Sequence, residues 1–342
     1  MRGGVRGRGS NPSTYSIDYM EKQTRIVFMG TPEFAVPSLD ILIREGYDVV
    51  GVITAPDKPA GRGRKIKYSD IKEFALAKGL NILQPTNLKD TEFIAELSEL
   101  KPDLQIVVAF RMLPALVWKI PSLGTFNLHA SLLPQYRGAA PINHAIINGE
   151  KETGVTTFLI DEKIDTGRIL FQEAVKIEND ETAGSLHDKL METGGKLVLK
   201  TVDAIIKAKV DSISQSEIEI PNDKIKNAPK IFKDDCRIDW GKSCVEIDRF
   251  IRGLSPYPGA FSYMVSPGGK KYLFKVFKSK PLVPSENKTS ASVLTDGKSF
   301  LKIRCSDGFI QIDEIQFEGK KRMKTLDFLR GFVLDSTWIA IS

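Results

Sequence analysis

The chain has 342 residues, 42% of them hydrophobic, and a formal net charge of +6 at pH 7, which together predict two globular domains. No run approaches about 18 apolar residues and the start lacks an apolar signal core, so neither a membrane span nor secretion is indicated, and we expect a cytoplasmic protein. The cysteines, Cys236, Cys244 and Cys305, are too few and too widely spaced for a disulfide framework or a zinc knuckle, which predicts buried or half-buried free thiols.

The start of the chain is rich in Gly, Arg and Ser and has no hydrophobic period, and a second possible start occurs at Met20. We interpret residues 1–23 as a disordered extension or a tag. Folded structure is therefore expected from residue 24 onwards.

The folded part opens with a β-α-β pattern. Strands are predicted at residues 25–29 and 48–54, with an amphipathic helix at residues 33–44 between them. The turn at residues 30–32 lacks the glycine series of a dinucleotide-binding fingerprint. The order of elements indicates an α/β fold with a doubly wound, mostly parallel sheet.

A basic loop at residues 55–65 follows the second strand, and its Gly and Pro content predicts neither helix nor sheet. It contains Lys58, Arg62, Arg64 and Lys65. One interpretation is an ordinary connection. Because the loop is long and concentrates positive charge, a functional insertion is the other interpretation.

Helices and strands then alternate up to the most apolar strand of the chain. Helices are predicted at residues 68–78 and 91–100, and strands at residues 81–84 and 104–110. The last of these is nearly unbroken in its apolar character, as expected of a central parallel strand that is covered on both faces.

The most informative pattern lies in residues 124–141. Its first half alternates like a strand, which puts Asn127 and His129 on the same side, about 6 to 7 Å apart. Pro134 ends the strand, and a helix is predicted to begin near Pro141. An amide and an imidazole then lie at the carboxyl edge of the sheet, where open α/β sheets carry catalytic groups. The alternative is a hydrogen-bonded pair that only pins the strand end.

A carboxylate is predicted to reach the same edge from a turn at residues 161–167. The elements around this turn are a helix at residues 142–148, strands at residues 155–160 and 168–176, and a helix at residues 182–207. In an open α/β sheet, Asp165 of this turn can reach His129. A local cap within the turn is the alternative for this aspartate.

The last third of the chain differs in composition. Residues 209–233 are polar and predict a linker, and short strands separated by turn residues follow it. These strands are predicted at residues 272–277, 291–294, 300–304 and 309–317. We therefore expect a catalytic domain over residues 24–208 and a small, OB-like β-barrel over residues 234–342.

Positive charge is concentrated in this last part. Residues 207–342 contain 24 Lys and Arg against 17 Asp and Glu, whereas residues 1–206 contain 25 against 26. This asymmetry is expected of a protein that binds a polyanion, and a solvated surface is the alternative. No His, Cys and carboxylate cluster has the spacing of metal ligands, so no metal is predicted.

Three segments together resemble the signature of the folate-dependent formyltransferases. They are Asn-Leu-His-Ala-Ser-Leu-Leu-Pro at 127–134, Tyr-Arg-Gly-Ala-Ala-Pro-Ile at 136–142 and Ile-Asp-Thr-Gly at 164–167. Residues 249–260 also match the C-terminal domain of such enzymes, so the resemblance covers about residues 25–340. It implies 10-formyltetrahydrofolate as the formyl donor, in a site lined by Ser131, Leu132, Leu133 and Pro134.

Within this family, the resemblance is strongest to members that formylate initiator methionyl-tRNA. Those members have a Pro-Ala-Gly-Arg-Gly loop that inserts towards the acceptor arm of the tRNA, and residues 59–63 have that sequence. The resemblance implies that Arg62 contacts the tRNA and that the barrel grips the tRNA backbone. It also places pterin-binding backbone at Phe110 and Arg111, where the family usually has Tyr-Gly.

The residue types predicted at the carboxyl edge of the sheet suit formyl transfer to an amine. A free α-amino group has a pKa near 7.7 to 8.0, so little help is needed to expose its lone pair. Asn127 can donate to the developing oxyanion, His129 can donate a hydrogen bond or shuttle the proton, and Asp165 can orient the imidazole. We expect direct attack through a tetrahedral intermediate, with Ser131 placed to bind rather than to form an acyl-enzyme.

Two alternative functions stay open at this point. The acceptor could be another amine, such as a glycinamide ribonucleotide or an amino sugar nucleotide. The glycinamide enzymes lack the second domain, whereas the sugar enzymes share the Ser-Leu-Leu-Pro-x-Tyr-Arg-Gly run. The other alternative is a non-catalytic RNA-binding protein on this fold. No motif encodes an oligomeric state, and a monomer is the expectation.

Overall fold

The computed structural model describes residues 23–60, 65–283 and 292–342. The chain folds into two compact units, each assembled from separate segments. The first unit comprises the described residues up to His129 together with Val155–Glu173 and Met191–Glu219. The second unit comprises Ala130–Gly154, Ala174–Leu190 and the described part of Ile220–Ser342. The domain boundaries expected from the sequence, 24–208, 209–233 and 234–342, stay predictions.

Strands and helices are numbered in chain order. The strands are β1 (Arg25–Gly30), β2 (Asp48–Ile53), β3 (Lys58–Ala60), β4 (Lys65–Lys67), β5 (Ile82–Leu83), β6 (Leu104–Val108), β7 (Thr125–His129), β8 (Arg137–Gly138), β9 (Glu152–Leu159), β10 (Ile169–Lys176), β11 (Asn227–Ala228), β12 (Ala260–Val265), β13 (Lys271–Leu282), β14 (Val293–Thr295), β15 (Leu301–Cys305), β16 (Gly308–Phe317), β17 (Met323–Lys324) and β18 (Ile339–Ile341). The α-helices are α1 (Val36–Arg44), α2 (Asp70–Ala77), α3 (Thr91–Glu99), α4 (Ala115–Trp118), α5 (Pro141–Ile147), α6 (Ala183–Ile206), α7 (Cys244–Gly253) and α8 (Thr325–Arg330).

The mostly parallel sheet confirms the predicted doubly wound fold. Its strand order is β10-β9-β7-β6-β1-β2-β5. Strands β5, β2, β1, β6 and β7 are parallel, and β9 runs antiparallel to β7. The chain moves outward from β1 through β2 to β5 and then returns to β6 on the other side, which makes the carboxyl ends of β1 and β6 a topological switch point. Every residue of β6 is buried, as expected of a central strand.

Helix α6 supports the strand that carries the functional residues. A methyl group at Gly194 of α6 would lie 2.7 Å from Cδ2 of Leu128, which stands between Asn127 and His129 in β7. The missing side chain at Gly194 therefore leaves room for the Leu128 side chain between the helix and the strand. Thr201 of α6 adds a buried hydrogen bond to Thr157 of β9, with 2.8 Å between the two hydroxyl oxygens.

The basic loop contains more regular structure than the sequence analysis expected. Residues Lys58–Ala60 pair with Lys65–Lys67 as a short antiparallel ladder, β3 with β4. The prediction that this stretch forms no sheet was therefore wrong at its two ends. Pairing of two short extended segments depends on their meeting in space, which composition does not report. Arg62 and Arg64 lie outside the described residues, so the expected tRNA contact of Arg62 stays a prediction.

The second unit contains the predicted small barrel. Its strand order is β14-β15-β16-β13-β12-β18, with β17 added to β16, and all of these pairings are antiparallel. The hydroxyl of Ser292, just before β14, accepts a hydrogen bond from the Ala340 N–H of β18 at 3.2 Å, so the sheet nearly closes. Strands β12 and β18 were missed by the sequence analysis. Strand β12 forms a hairpin with β13, and the three-residue strand β18 pairs with β12, which lies far earlier in the chain.

Aromatic rings pack against one another in the core of the barrel. Phe317 packs on Phe328 and on Phe332, with ring centroids 5.1 and 4.7 Å apart.

The cysteines Cys236, Cys244 and Cys305 are free and buried, as predicted. Among the helices that the structure describes, none combines the length and apolar character needed to cross a membrane.

Candidate active site

Strand β7 presents Asn127 and His129 on one side, as the alternation of a strand requires. Asn127 stands opposite Val107 of β6 and Phe158 of β9, and His129 ends the strand opposite Thr156 of β9. Asn127 is half-buried and His129 is 7% exposed. Among the described residues, no hydrogen bond engages the Asn127 side chain, so its amide is available to a substrate.

Asp165 completes this cluster from the loop between β9 and β10. Its Oδ2 lies 3.8 Å from Nδ1 of His129, and the two side chains are 13% and 8% exposed. The separation is that of an ion pair rather than a short hydrogen bond.

The loop that carries Asp165 has a restricted backbone. Asp165 has a φ of +54°, in the left-handed region that aspartate tolerates better than most residues. A methyl group at Gly167 would lie 1.6 Å from the carbonyl oxygen of Leu159, so this position requires glycine. The carboxylate of Asp161 accepts hydrogen bonds from the Thr166 hydroxyl at 2.8 Å and the Lys163 N–H at 3.0 Å. These contacts close the loop on itself.

Gln215 holds the loop that carries Asp165 through two hydrogen bonds. Its Nε2 donates to the carbonyl oxygens of Asp165 and Gly167, each at 2.9 Å, and the residue is 5% exposed. The sequence analysis placed this residue in a linker and missed its contribution. A single glutamine in a polar segment carries no pattern that would have identified it.

The residues predicted to bind the donor form a compact turn in the second unit. Ser131 is fully buried and its hydroxyl donates to the carbonyl of Gln135 at 2.6 Å. Leu133 and Pro134 are buried, and Leu132 is half-buried. Ser131 therefore stabilises the turn itself, and the donor-binding role of the four residues stays a prediction.

Arg111 links two loops at the carboxyl edge of the sheet. Its guanidinium donates to the carbonyl of Thr86 at 3.0 Å and to that of Pro85, and it lies 5.6 Å from the ring centroid of Phe110. Partial burial lowers the pKa of Arg111. The arginine that replaces the usual glycine thus ties the loop after β6 to the loop after β5.

Two remaining histidines have local roles. His187 lies 3.0 Å from the carboxylate of Asp188 on α6, and Nε2 of His144 lies 3.0 Å from the carbonyl of Pro229. Neither belongs to the Asn127, His129 and Asp165 cluster. Both imidazoles instead contact groups close to them in the second unit.

The described ranges contain one group of three possible metal ligands, which lies in the second unit and consists of Cys244, Cys305 and Asp307. Their ligand atoms lie within 4.8 Å of one another. The two sulfur atoms are 2.8 Å apart. Burial, together with hydrogen bonds to Cys305 and Asp307, raises the pKa of the Cys244 thiol far above its usual value. A protonated thiol is a poor metal ligand, and the absence of a metal requirement stays a prediction.

Comparisons with known proteins decide the family. Residues 24–202 match the formyl transferase family, and residues 230–333 match the formyl transferase C-terminal domain. The methionyl-tRNA formyltransferase of Bacteroides fragilis is 54% identical over 314 residues, which cover 92% of this chain and 97% of that protein. The chain belongs to the methionyl-tRNA formyltransferase family. The member from Flavobacterium johnsoniae is also 54% identical, over 91% of this chain and 97% of its own.

Solved structures agree with the fold of this family. An N-formyltransferase from Helicobacter canadensis, in complex with folinic acid and dTDP-3-aminofucose, has a TM-score of 0.60 at 22% identity and covers 87% of this chain and 99% of its own. An identity this low supports the fold alone. Membership of the family makes the chain an enzyme of formyl transfer and does not favour the amino sugar nucleotide, glycinamide ribonucleotide or non-catalytic alternatives.

Proposed function

We propose that the chain transfers the formyl group of 10-formyltetrahydrofolate to the α-amino group of initiator methionyl-tRNA, in the cytoplasm and as a monomer. The observation that carries this proposal is the meeting of Asn127, His129 and Asp165 at one edge of the sheet. The identity of 54% with methionyl-tRNA formyltransferases supports the same substrate pair.

Asn127 stabilises the oxyanion that forms as the formyl carbon becomes tetrahedral. Its half-buried side-chain N–H donates to that oxygen without first breaking a hydrogen bond to another described residue. Donors of this kind contribute about 3 to 4 kcal/mol to the stability of a transition state, or about 10² to 10³ in rate.

His129 handles the proton of the amine. The neutral imidazole accepts a proton from the attacking nitrogen as the new carbon–nitrogen bond forms, and it returns that proton to the nitrogen that leaves the formyl carbon. Asp165 stabilises the imidazolium between these two steps. A positioned acid-base group of this type contributes about 10² to 10⁴ in rate.

Other residues bind the two substrates in this proposal. Ser131, Leu132, Leu133 and Pro134 form the turn that lines the donor site, and Arg62 contacts the tRNA, as the family resemblance implies. The basic residues of the barrel bind the tRNA backbone through its phosphates. No metal takes part, so an excess of chelator leaves the rate unchanged.

The test compares formyl transfer from 10-formyltetrahydrofolate to charged initiator tRNA by the intact chain, His129→Ala and His187→Ala. We expect the intact chain to be active and His129→Ala to lose about 10² to 10⁴ in kcat. His187→Ala is the matched control, since His187 lies outside the cluster of Asn127, His129 and Asp165 and its imidazole contacts the exposed carboxylate of Asp188; its rate should stay within about twofold.

Two results would contradict the proposal. An intact chain that binds the tRNA but transfers nothing would favour the non-catalytic alternative. Full activity in His129→Ala would remove the proposed catalytic centre, whatever the acceptor.

A further inference from the structure

The second unit contains a cavity of about 510 Å³ that the proposed chemistry does not use. Its walls come from the start of α5, the segment before α7, the turn before β12, and strands β12 and β13. This volume lies in the range of pockets that take a small organic group such as a nucleotide.

Two aromatic rings on the cavity wall are exposed to solvent. Tyr257 is 83% exposed and Phe232 is 61% exposed. Both have a restrained backbone, because Tyr257 lies between Pro256 and Pro258 and the Phe232 N–H donates to Asp235 at 2.8 Å. Large rings left in water on restrained backbone provide a flat surface on which another ring can stack.

The same wall is positively charged. It includes Lys230, Lys233 and Lys275, and no acidic residue belongs to it in the part of the chain that the structure describes. The Lys275 ammonium donates to the carbonyl of Pro258 at 2.8 Å, next to Tyr257. The Lys230 ammonium lies 5.3 Å from the ring centroid of Phe232. Cations therefore lie beside each of the two exposed rings.

We infer that this cavity binds an unpaired nucleotide of RNA, with its base in contact with the rings of both Tyr257 and Phe232 and its phosphates beside the three lysines. Exposed aromatic rings interleaved with lysines are the combination that binds single strands, because every base has a face for stacking and every nucleotide has a charge. Lysines alone would suffice for a duplex backbone, which offers no accessible base faces. That the bound RNA is a tRNA rests on the proposed function, whereas the binding of an unpaired nucleotide in this cavity does not.

The test measures equilibrium binding of the full chain to a 12-nucleotide single-stranded RNA and to the same RNA as a duplex. Tyr257→Ala and Phe232→Ala should each weaken single-strand binding about 5- to 150-fold, the loss of 1 to 3 kcal/mol expected for one stacked base. Tyr257→Trp should restore binding, because tryptophan keeps the stacking face. Val333→Ala, at an 88% exposed site that is not part of the cavity wall, is the control.

The dependence on salt separates stacking from charge. Tyr257→Ala should lower the affinity without changing the slope of log affinity against log salt, whereas Lys233→Ala should reduce that slope by about 1. Duplex binding should be the same for Tyr257→Ala and the unchanged chain.

The inference is overturned if Tyr257→Ala and Phe232→Ala bind the single strand as tightly as the unchanged chain. Equal losses on single strand and duplex would also overturn it. These binding measurements use neither folate nor methionine, so their outcome does not depend on whether the chain transfers a formyl group. Loss of formyl transfer with intact single-strand binding would instead contradict the proposed function alone.

Discussion

Gln215 is one of the residues that fix the position of Asp165. One buried amide group donates to the two carbonyls that flank the turn, those of Asp165 and Gly167. Asp165 itself has a left-handed backbone, which persists only where the surroundings hold it. The distance between Asp165 and His129 therefore depends on a residue that holds the backbone of the turn.

We expect Gln215→Ala to lower kcat about 10- to 100-fold, since a displacement of about 1 Å in a catalytic group can have that effect. The KM for methionyl-tRNA should change little, because Gln215 acts through Asp165 and not on the tRNA. Steady-state formyl transfer gives both values.

A double-mutant cycle with Asp165→Ala distinguishes a role of Gln215 in positioning Asp165 from a role in stabilising the fold. If Gln215 acts through Asp165, then Gln215→Ala should have almost no further effect on kcat in the Asp165→Ala background. A similar loss in both backgrounds would show that Gln215 only stabilises the fold.

At the scale of elements, the start of α6 is stabilised by a buried carboxylate in the second unit. Glu181 is 5% exposed and pairs with the ammonium of Lys189, one of the residues in the first turns of the helix. Burial by itself raises the pKa of Glu181, but hydrogen bonds from Lys189 and Ser185 outweigh it, so the pKa is lowered from its usual 4.5. Arg252 of α7 also donates to the Glu181 carbonyl at 2.9 Å.

The lowered pKa predicts the pH dependence of folding stability. A carboxylate with a lower pKa in the folded state contributes stability that is present above the unfolded pKa and is lost as pH falls through the folded pKa. Glu181→Gln should therefore reduce the free energy of unfolding at pH 7 by about 1 kcal/mol, a modest value because Lys189 keeps contact with water.

Urea unfolding of both chains between pH 7 and pH 3 tests this expectation. The difference in the free energy of unfolding between the unchanged chain and Glu181→Gln should become smaller as the pH falls below 4.5, the usual pKa of a glutamate. A difference that stays constant over this range would mean that the charge of Glu181 does not stabilise the fold.

At the scale of the whole molecule, charge is distributed unevenly along the chain. Residues 207–342 have 24 basic and 17 acidic side chains, whereas residues 1–206 have 25 and 26. A polyanion partner bound through phosphate contacts releases counterions, and its affinity then falls steeply with salt.

We expect the affinity of the full chain for initiator tRNA to fall about 10³- to 10⁵-fold between 50 and 200 mM salt, as for six to ten phosphate contacts. Filter binding or fluorescence anisotropy at a series of salt concentrations gives the slope. The melting temperature over the same range serves as the control for folding. A loss below about tenfold would count against phosphate contacts as the basis of binding.

The sequence predicted the elements that depend on local pattern. Strand β7, the helix at α6 and the apolar strand β6 were all recognised, because alternation and apolar periodicity act within about ten residues. Strands β12 and β18 and the β3–β4 ladder were missed, because each pairs with a partner that pattern alone does not specify.

By itself, the sequence determined the family, the doubly wound sheet with its barrel, and the presence of Asn127 and His129 on one side of a strand. Only the tertiary structure decided that Asp165 lies 3.8 Å from His129 and that Gln215 holds its loop. Side-chain alternation follows from the geometry of one strand, whereas contacts between residues 36 and 50 positions apart exist only once the chain has folded.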